Sequence, residues 1–168
     1  MNRKYLGDSF DIVKRFWSER LAGVAPLFAH PKFIPRDIKA DFEKMAGIPV
    51  LESNTALQKP FGLFLDPDTG IPLPASTQKA SISHAPVSFI AEELNRLKPK
   101  YVICFDQSHD RNCGLTKPKQ RHSKMSALQN LRIASFYYVS HAPFLFAAGD
   151  VGDLESVRSR LVDCGIPE

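Results

Sequence analysis

Two short, almost wholly apolar runs, residues 61–65 and 101–105, each end without transition in an aspartate, Asp66 and Asp106. A solid run of this length is short for a helix and lacks the alternation of a strand with one wet face. It fits a strand covered on both sides, and such strands belong to mainly parallel sheets flanked by helices. Helical patterns separate the runs. Residues 10–21 carry Ile12, Val13, Phe16, Trp17 and Leu21 at the i, i+3, i+4 recurrence, behind an N-cap at Asp8 or Ser9. Residues 35–45 form a second helix stopped by Gly47, and 86–97, 123–134 and 153–162 continue the series, the last capped by Gly165. Residues 24–29 and 48–51 read as short strands, and 136–139 with 143–148 as paired strands around Ser140 and His141. The expected fold is α/β: a single three-layer domain over residues 1–168, with a mainly parallel Rossmann-like sheet and an antiparallel hairpin at one edge.

A chain of 168 residues, 43% hydrophobic, buries a sizeable core without disulfides or structural metal. Cys104, Cys113 and Cys164 have no CxxC spacing and read as reduced thiols, Cys104 in the core and Cys113 in a polar loop. No stretch approaches the roughly 18 apolar residues of a membrane span, and residues 1–7 lack the apolar run of a signal peptide. The expectation is therefore a cytoplasmic protein with no membrane partner, its oligomeric state left open. The net charge of +4 is mild, but its distribution is uneven. Between His109 and Lys124 the cations Arg111, Lys117, Lys119, Arg121 and Lys124 face the single acid Asp110. This basic segment, 111–124, is the expected contact for nucleic acid, with Lys117, Lys119, Arg121 and Lys124 as phosphate ligands.

In open α/β sheets ligands bind beyond the carboxyl ends of the strands. The polar residues expected there are Asp8, Asp66, Asp68 and Asp106, together with Ser9, Thr69, Ser108 and His141. Carboxylates gathered at one edge repel one another unless a cation intervenes, and hard oxygen ligands suit Mg²⁺ or Mn²⁺. The expected function is metal-dependent phosphodiester hydrolysis on nucleic acid, a nuclease-like reaction. Asp66, Asp68 and Asp106 would be the metal ligands and Asp8 a fourth acid, the metal polarising the phosphoryl group. Each acid also has a structural reading: Asp8 and Ser9 cap a helix, 66–70 is a tight turn, and Asp106 receives hydrogen bonds from the basic loop. Ser140 and His141 are adjacent on extended chain and point to opposite faces, which argues against a catalytic pair. His30, His84, His109 and His122 read as surface residues. A non-catalytic module that binds a protein or nucleic acid through the basic segment is a further reading.

Several segments resemble known families. Residues 64–70, FLDPDTG, resemble the first motif of haloacid-dehalogenase phosphatases, and Gly7, Asp8 and Ser9 the opening block of GDSL hydrolases. In element order the chain is similar to class I S-adenosylmethionine methyltransferases. Their first loop would fall at 5–9, their DPPY-like loop at 66–69 and their terminal hairpin at 136–148. That resemblance implies S-adenosylmethionine as cofactor. PIN-like nucleases are similar in setting several aspartates at parallel strand ends, a role that would fall to Asp8, Asp66, Asp68 and Asp106. KYLGDSFDIVKR with LFLDPDTG resembles an uncharacterised bacterial family of short α/β proteins, which implies the fold and no activity.

Overall fold

The strand signals of the sequence condense into one sheet in the computed structural model, which describes residues 6–52, 59–76 and 79–166. Its strands are β1 (Leu27–Ala29), β2 (Gly62–Leu65), β3 (Tyr101–Phe105), β4 (Ala134–Tyr138) and β5 (Phe144–Ala148), in the order β1-β2-β3-β5-β4. The helices are α1 (Ser9–Leu21), α2 (Lys39–Ala46), α3 (Val87–Leu97), α4 (Lys117–Asn130) and α5 (Val151–Asp163).

The fold is mixed α/β, but the sheet is only partly parallel. β1, β2 and β3 run parallel, whereas β5 is antiparallel to both of its neighbours, β3 and β4. The expected hairpin exists, yet its second strand is inserted inside the sheet and β4 is the edge. The link 139–143 explains this, because a parallel return needs a crossover of a dozen or more residues and a shorter link folds back antiparallel. Residues 48–51 make no strand of their own; Val50 only bridges to Ala29 beside β1.

Alternation along the strands divides the core into two clusters. Phe64, Tyr101, Ile103, Phe105, Phe144 and Phe146 pack with Trp17 and Leu21 of α1, Phe42 of α2, and Val157 and Leu161 of α5. Leu63, Leu65, Val102, Cys104, Leu145 and Ala147 pack with Val87, Ile90 and Leu94 of α3 and Leu128 of α4. Every residue of β2, β3 and β5 is buried, as solid apolar runs require. Gly62 is the gap in the β2 run: a side chain there would collide with the Tyr101 ring, whose hydroxyl donates to the Ala25 carbonyl at 2.9 Å.

Two helices depart from their expected form. In α1 the cap is Asp8, as expected, but Ile12 is 70% exposed while Asp11 and Lys14 share the buried face with Trp17 and Leu21. α4 begins at Lys117, so the second half of the basic segment is helix and not loop. Thr116 is its extended N-cap residue, and Pro118 stands in the first turn, where a missing N–H costs nothing. It ends at Asn130, with Arg132 at a positive φ of 61° turning the chain into β4. Among the described residues no helix is long and apolar enough to cross a membrane.

Candidate functional site

The carboxyl ends of β1, β2, β3 and β4, the start of β5 and the N-termini of α1 and α4 converge on one rim. Asp66 follows β2 and Asp106 follows β3, on paired neighbouring strands with Leu65 opposite Cys104. Both aspartates are buried, and each has drawn a buried lysine. Lys14 of α1 places its Nζ 2.8 Å from Asp66 Oδ2 and 3.0 Å from Asp11 Oδ1. Asp11 Oδ2 in turn accepts the Gly7 N–H at 2.7 Å. Burial pulls the Lys14 pKa down, but the attraction and hydrogen bonds of Asp66 and Asp11 outweigh it, so the ammonium titrates above its ordinary value.

The second pair is more enclosed. Lys124 of α4, its side chain 1% exposed, donates to Asp106 Oδ2 at 2.7 Å and to Ser108 Oγ at 2.6 Å. The Tyr137 hydroxyl from β4 donates to the same Oδ2 at 2.6 Å. Asp106 Oδ1 accepts the backbone N–H groups of Ile71 at 2.9 Å and Ser108 at 3.1 Å. The Ser108 hydroxyl lies 2.6 Å from Asp106 Oδ1 and 2.5 Å from the Ile71 carbonyl, and its proton serves one of them. Burial, with Asp106 beside it, pushes the Tyr137 phenol far above its usual range. The Cys104 thiol is raised by burial and by both aspartates. Gly70 closes the network. Its φ of +126° and its contact with Asp106 Oδ1 and Cα leave no room for a Cβ.

This arrangement answers the question posed by acids at a sheet edge. Their mutual repulsion is relieved by ammonium groups from the helices. A carboxylate offers about four lone-pair directions. At Asp106 these are taken by Lys124, Tyr137 and two backbone N–H groups, so a divalent ion would have to displace them. Among the described residues no three His, Cys, Asp or Glu side chains gather closely enough to hold a metal. The Asp106 oxygens are thus already occupied by donors of the protein itself.

The remaining expected residues fall into three groups. Asp8 caps α1, its Oδ1 accepting from the Phe10 N–H at 2.9 Å, and Ser9 is the exposed first residue of that helix. Asp68 and Thr69 are exposed in the turn after β2, tied through their backbone N–H groups to the carbonyls of Ile82 and Ser83. His141 lies on the rim itself, stacked on Phe10 with ring centroids 5.7 Å apart. Of the cations expected to bind phosphate, Lys124 is spent on Asp106, and Lys119 is exposed. Lys117 and Arg121, one helical turn apart, line a cleft of about 290 Å³ with Ser108, Ser140 and His141. Asp106 and Gln107 at the end of β3 complete its wall. The ion pairs of the described residues include neither Lys117 nor Arg121. Arg121 instead sits over the Tyr137 ring, 5.8 Å from its centroid.

Lys14, Gly70 and Tyr137 were not anticipated, and neither was the burial of His30. Its Nδ1 accepts the Lys32 N–H at 3.1 Å, which leaves the ring proton on Nε2, 3.5 Å from Glu93 Oε2. Burial is the main force lowering its pKa. Lys14 did leave a signal: it stands on the stripe of Trp17 and Leu21, where a cation is stable only opposite an anion.

No protein-family model, curated protein or solved structure matches the chain. Its function must be argued from the rim.

Proposed function

We propose that the chain binds the phosphates of nucleic acid in the cleft of Lys117, Arg121 and His141, on a three-layer, Rossmann-like domain. The observation that carries this reading is the state of charge at the cleft. Asp106, the acid in its wall, is already neutralised by Lys124, while Lys117 and Arg121 hold two cations with no carboxylate partner among the described residues. The N-terminus of α4 adds its partial positive charge on the same side. Ser108 and Ser140 supply hydroxyls, and a guanidinium can grip a phosphate with two parallel hydrogen bonds.

In this reading the charge of a phosphodiester is met by cations of the protein itself. The S-adenosylmethionine reading is less well supported by the residues. Gly7 is turned into α1 by the Asp8 cap, and β1 ends at Ala29 and is followed by His30, without an acid for ribose hydroxyls.

Fluorescence anisotropy with a labelled single-stranded oligonucleotide tests the proposal. Lys117→Ala and Arg121→Ala should each weaken binding and reduce the slope of log K against log salt by about one. Asp68→Asn should change neither. Unchanged affinity and salt slope in the Lys117→Ala/Arg121→Ala double variant would sink the reading.

A further inference from the structure

A second cleft, about 190 Å³ in volume, adjoins the first and shares Ser108 with it. The two differ in character. The first is walled by Lys117, Arg121 and His141. The second is lined by Thr69, Pro72, Leu73, His84 and His109, with no lysine or arginine among the described residues of its wall. Asp110, the one acid among the described residues of this wall, carries a negative charge that turns a phosphate away and directs it toward the cations across Ser108. Apolar Pro72 and Leu73, with the half-buried imidazoles of His84 and His109, make surfaces on which a flat heteroaromatic ring can lie.

Two residues of the walls are held by hydrogen bonds within the protein. Gln120 lies behind the second cleft, donating to the carbonyls of Asp110 at 2.7 Å and Leu115 at 2.9 Å and accepting from the Asp110 N–H at 3.0 Å. Ser108 is held by Lys124 and Asp106. A preformed site loses little entropy on binding. Small-molecule sites begin at about 300 Å³. The first cleft alone only approaches that size, and the two together exceed it.

We infer that the unit bound at this rim is a single nucleotide, its phosphate against Lys117, Arg121 and His141 and its base against Pro72, Leu73, His84 and His109. The inference rests on the phosphate-binding reading above and adds recognition of a base to it. A continuous duplex presents its bases stacked and paired, so the ligand is an unpaired or terminal nucleotide, or a free mononucleotide.

Isothermal titration with inorganic phosphate, ribose 5-phosphate and a purine nucleoside 5′-monophosphate tests the point. The mononucleotide should bind about tenfold tighter than ribose 5-phosphate, because only it offers a base to stack. Leu73→Ser and His109→Ala, both at partly exposed positions, should erase that advantage while leaving ribose 5-phosphate affinity intact. Lys117→Ala/Arg121→Ala should lose all three ligands. Circular dichroism melts verify that each variant is folded. Equal affinity for the mononucleotide and ribose 5-phosphate overturns the inference, as does an advantage that survives in both cleft variants. An oligonucleotide that binds through Lys117 and Arg121 with no mononucleotide binding also overturns it, leaving the parent reading in place. Failure of the unmodified chain to bind any of these anions, oligonucleotide included, takes down both the parent reading and this inference.

Discussion

Lys124 is the residue on which the rim depends most. An ammonium so fully buried is tolerated because Asp106 and Ser108 surround it, and removing either charge leaves the other without compensation. Lys124→Met and Asp106→Asn should each cost about 3–5 kcal/mol, and the double variant clearly less than their sum, as measured by urea denaturation. Additive losses would mean that the two charges do not stabilise each other. Gly70 lies against the same carboxylate. Gly70→Ala introduces a Cβ against Asp106 at a φ of +126°, and a loss of about 1–3 kcal/mol is expected by the same measurement. His30 supplies a pH dependence. Its folded pKa lies below the ordinary 6.5, so between those values the unfolded chain binds more protons. Its contribution to stability is complete above pH 6.5 and is lost as pH falls toward the depressed folded value, because protonation puts a charge in a buried site and also removes the Nδ1 acceptor for the Lys32 N–H. Thermal melts from pH 8 to 5 should show a decline below 6.5 that His30→Gln makes shallower.

Helices α1 and α4 perform the same task at two adjacent strand ends. Each brings a lysine on its buried stripe, Lys14 among Asp11, Trp17 and Leu21, and Lys124 between Gln120 and Leu128. Each delivers it to the aspartate that ends a buried strand. α4 also carries Lys117 and Arg121 outward, so one helix both neutralises the floor and charges the cleft. Strand β4 contributes from the far side through Tyr137, whose hydroxyl crosses to Asp106. Tyr137→Phe removes a hydrogen bond to a charged acceptor and should cost about 1.5–3 kcal/mol. It should leave Arg121 an aromatic ring to rest on, so binding in the anisotropy assay should change much less than in Arg121→Ala. A Tyr137→Phe variant as stable as the parent would show that this bond is replaced by solvent.

Across the whole molecule the first helix packs against the last strands. Trp17 meets Tyr138, Phe144 and Phe146 edge-on at 5.1, 5.7 and 5.4 Å between ring centroids. Among the described residues its buried indole N–H has no hydrogen-bond partner, so ring packing is what holds it in place there. Tryptophan fluorescence therefore reports whether the two ends of the sequence are joined, whereas far-UV circular dichroism reports all helices. If the chain unfolds as one cooperative unit, the two urea transitions coincide. An earlier fluorescence transition would show that the β4–β5 hairpin separates from the parallel half of the sheet.

Much of the architecture was legible because it rests on local patterns. The apolar runs at β2, β3 and β5 could be satisfied only inside a covered sheet, the Asp8 cap and Gly47 stop bounded α1 and α2, and the aspartates marked where strands end. The α4 start was missed because its first two turns are basic and polar, without an apolar stripe to reveal them. The antiparallel hairpin was legible from its short 139–143 link, but the insertion of β5 between β3 and β4 was not, because neighbour order depends on long-range packing and not on local pattern. The sequence by itself determined which residues had to be buried and which acids had to stand at strand ends. Only the tertiary structure decided what neutralises those acids. A carboxylate specifies that a positive charge must come near it, and whether that charge is a metal ion or a lysine on a distant helix depends on which elements pack together.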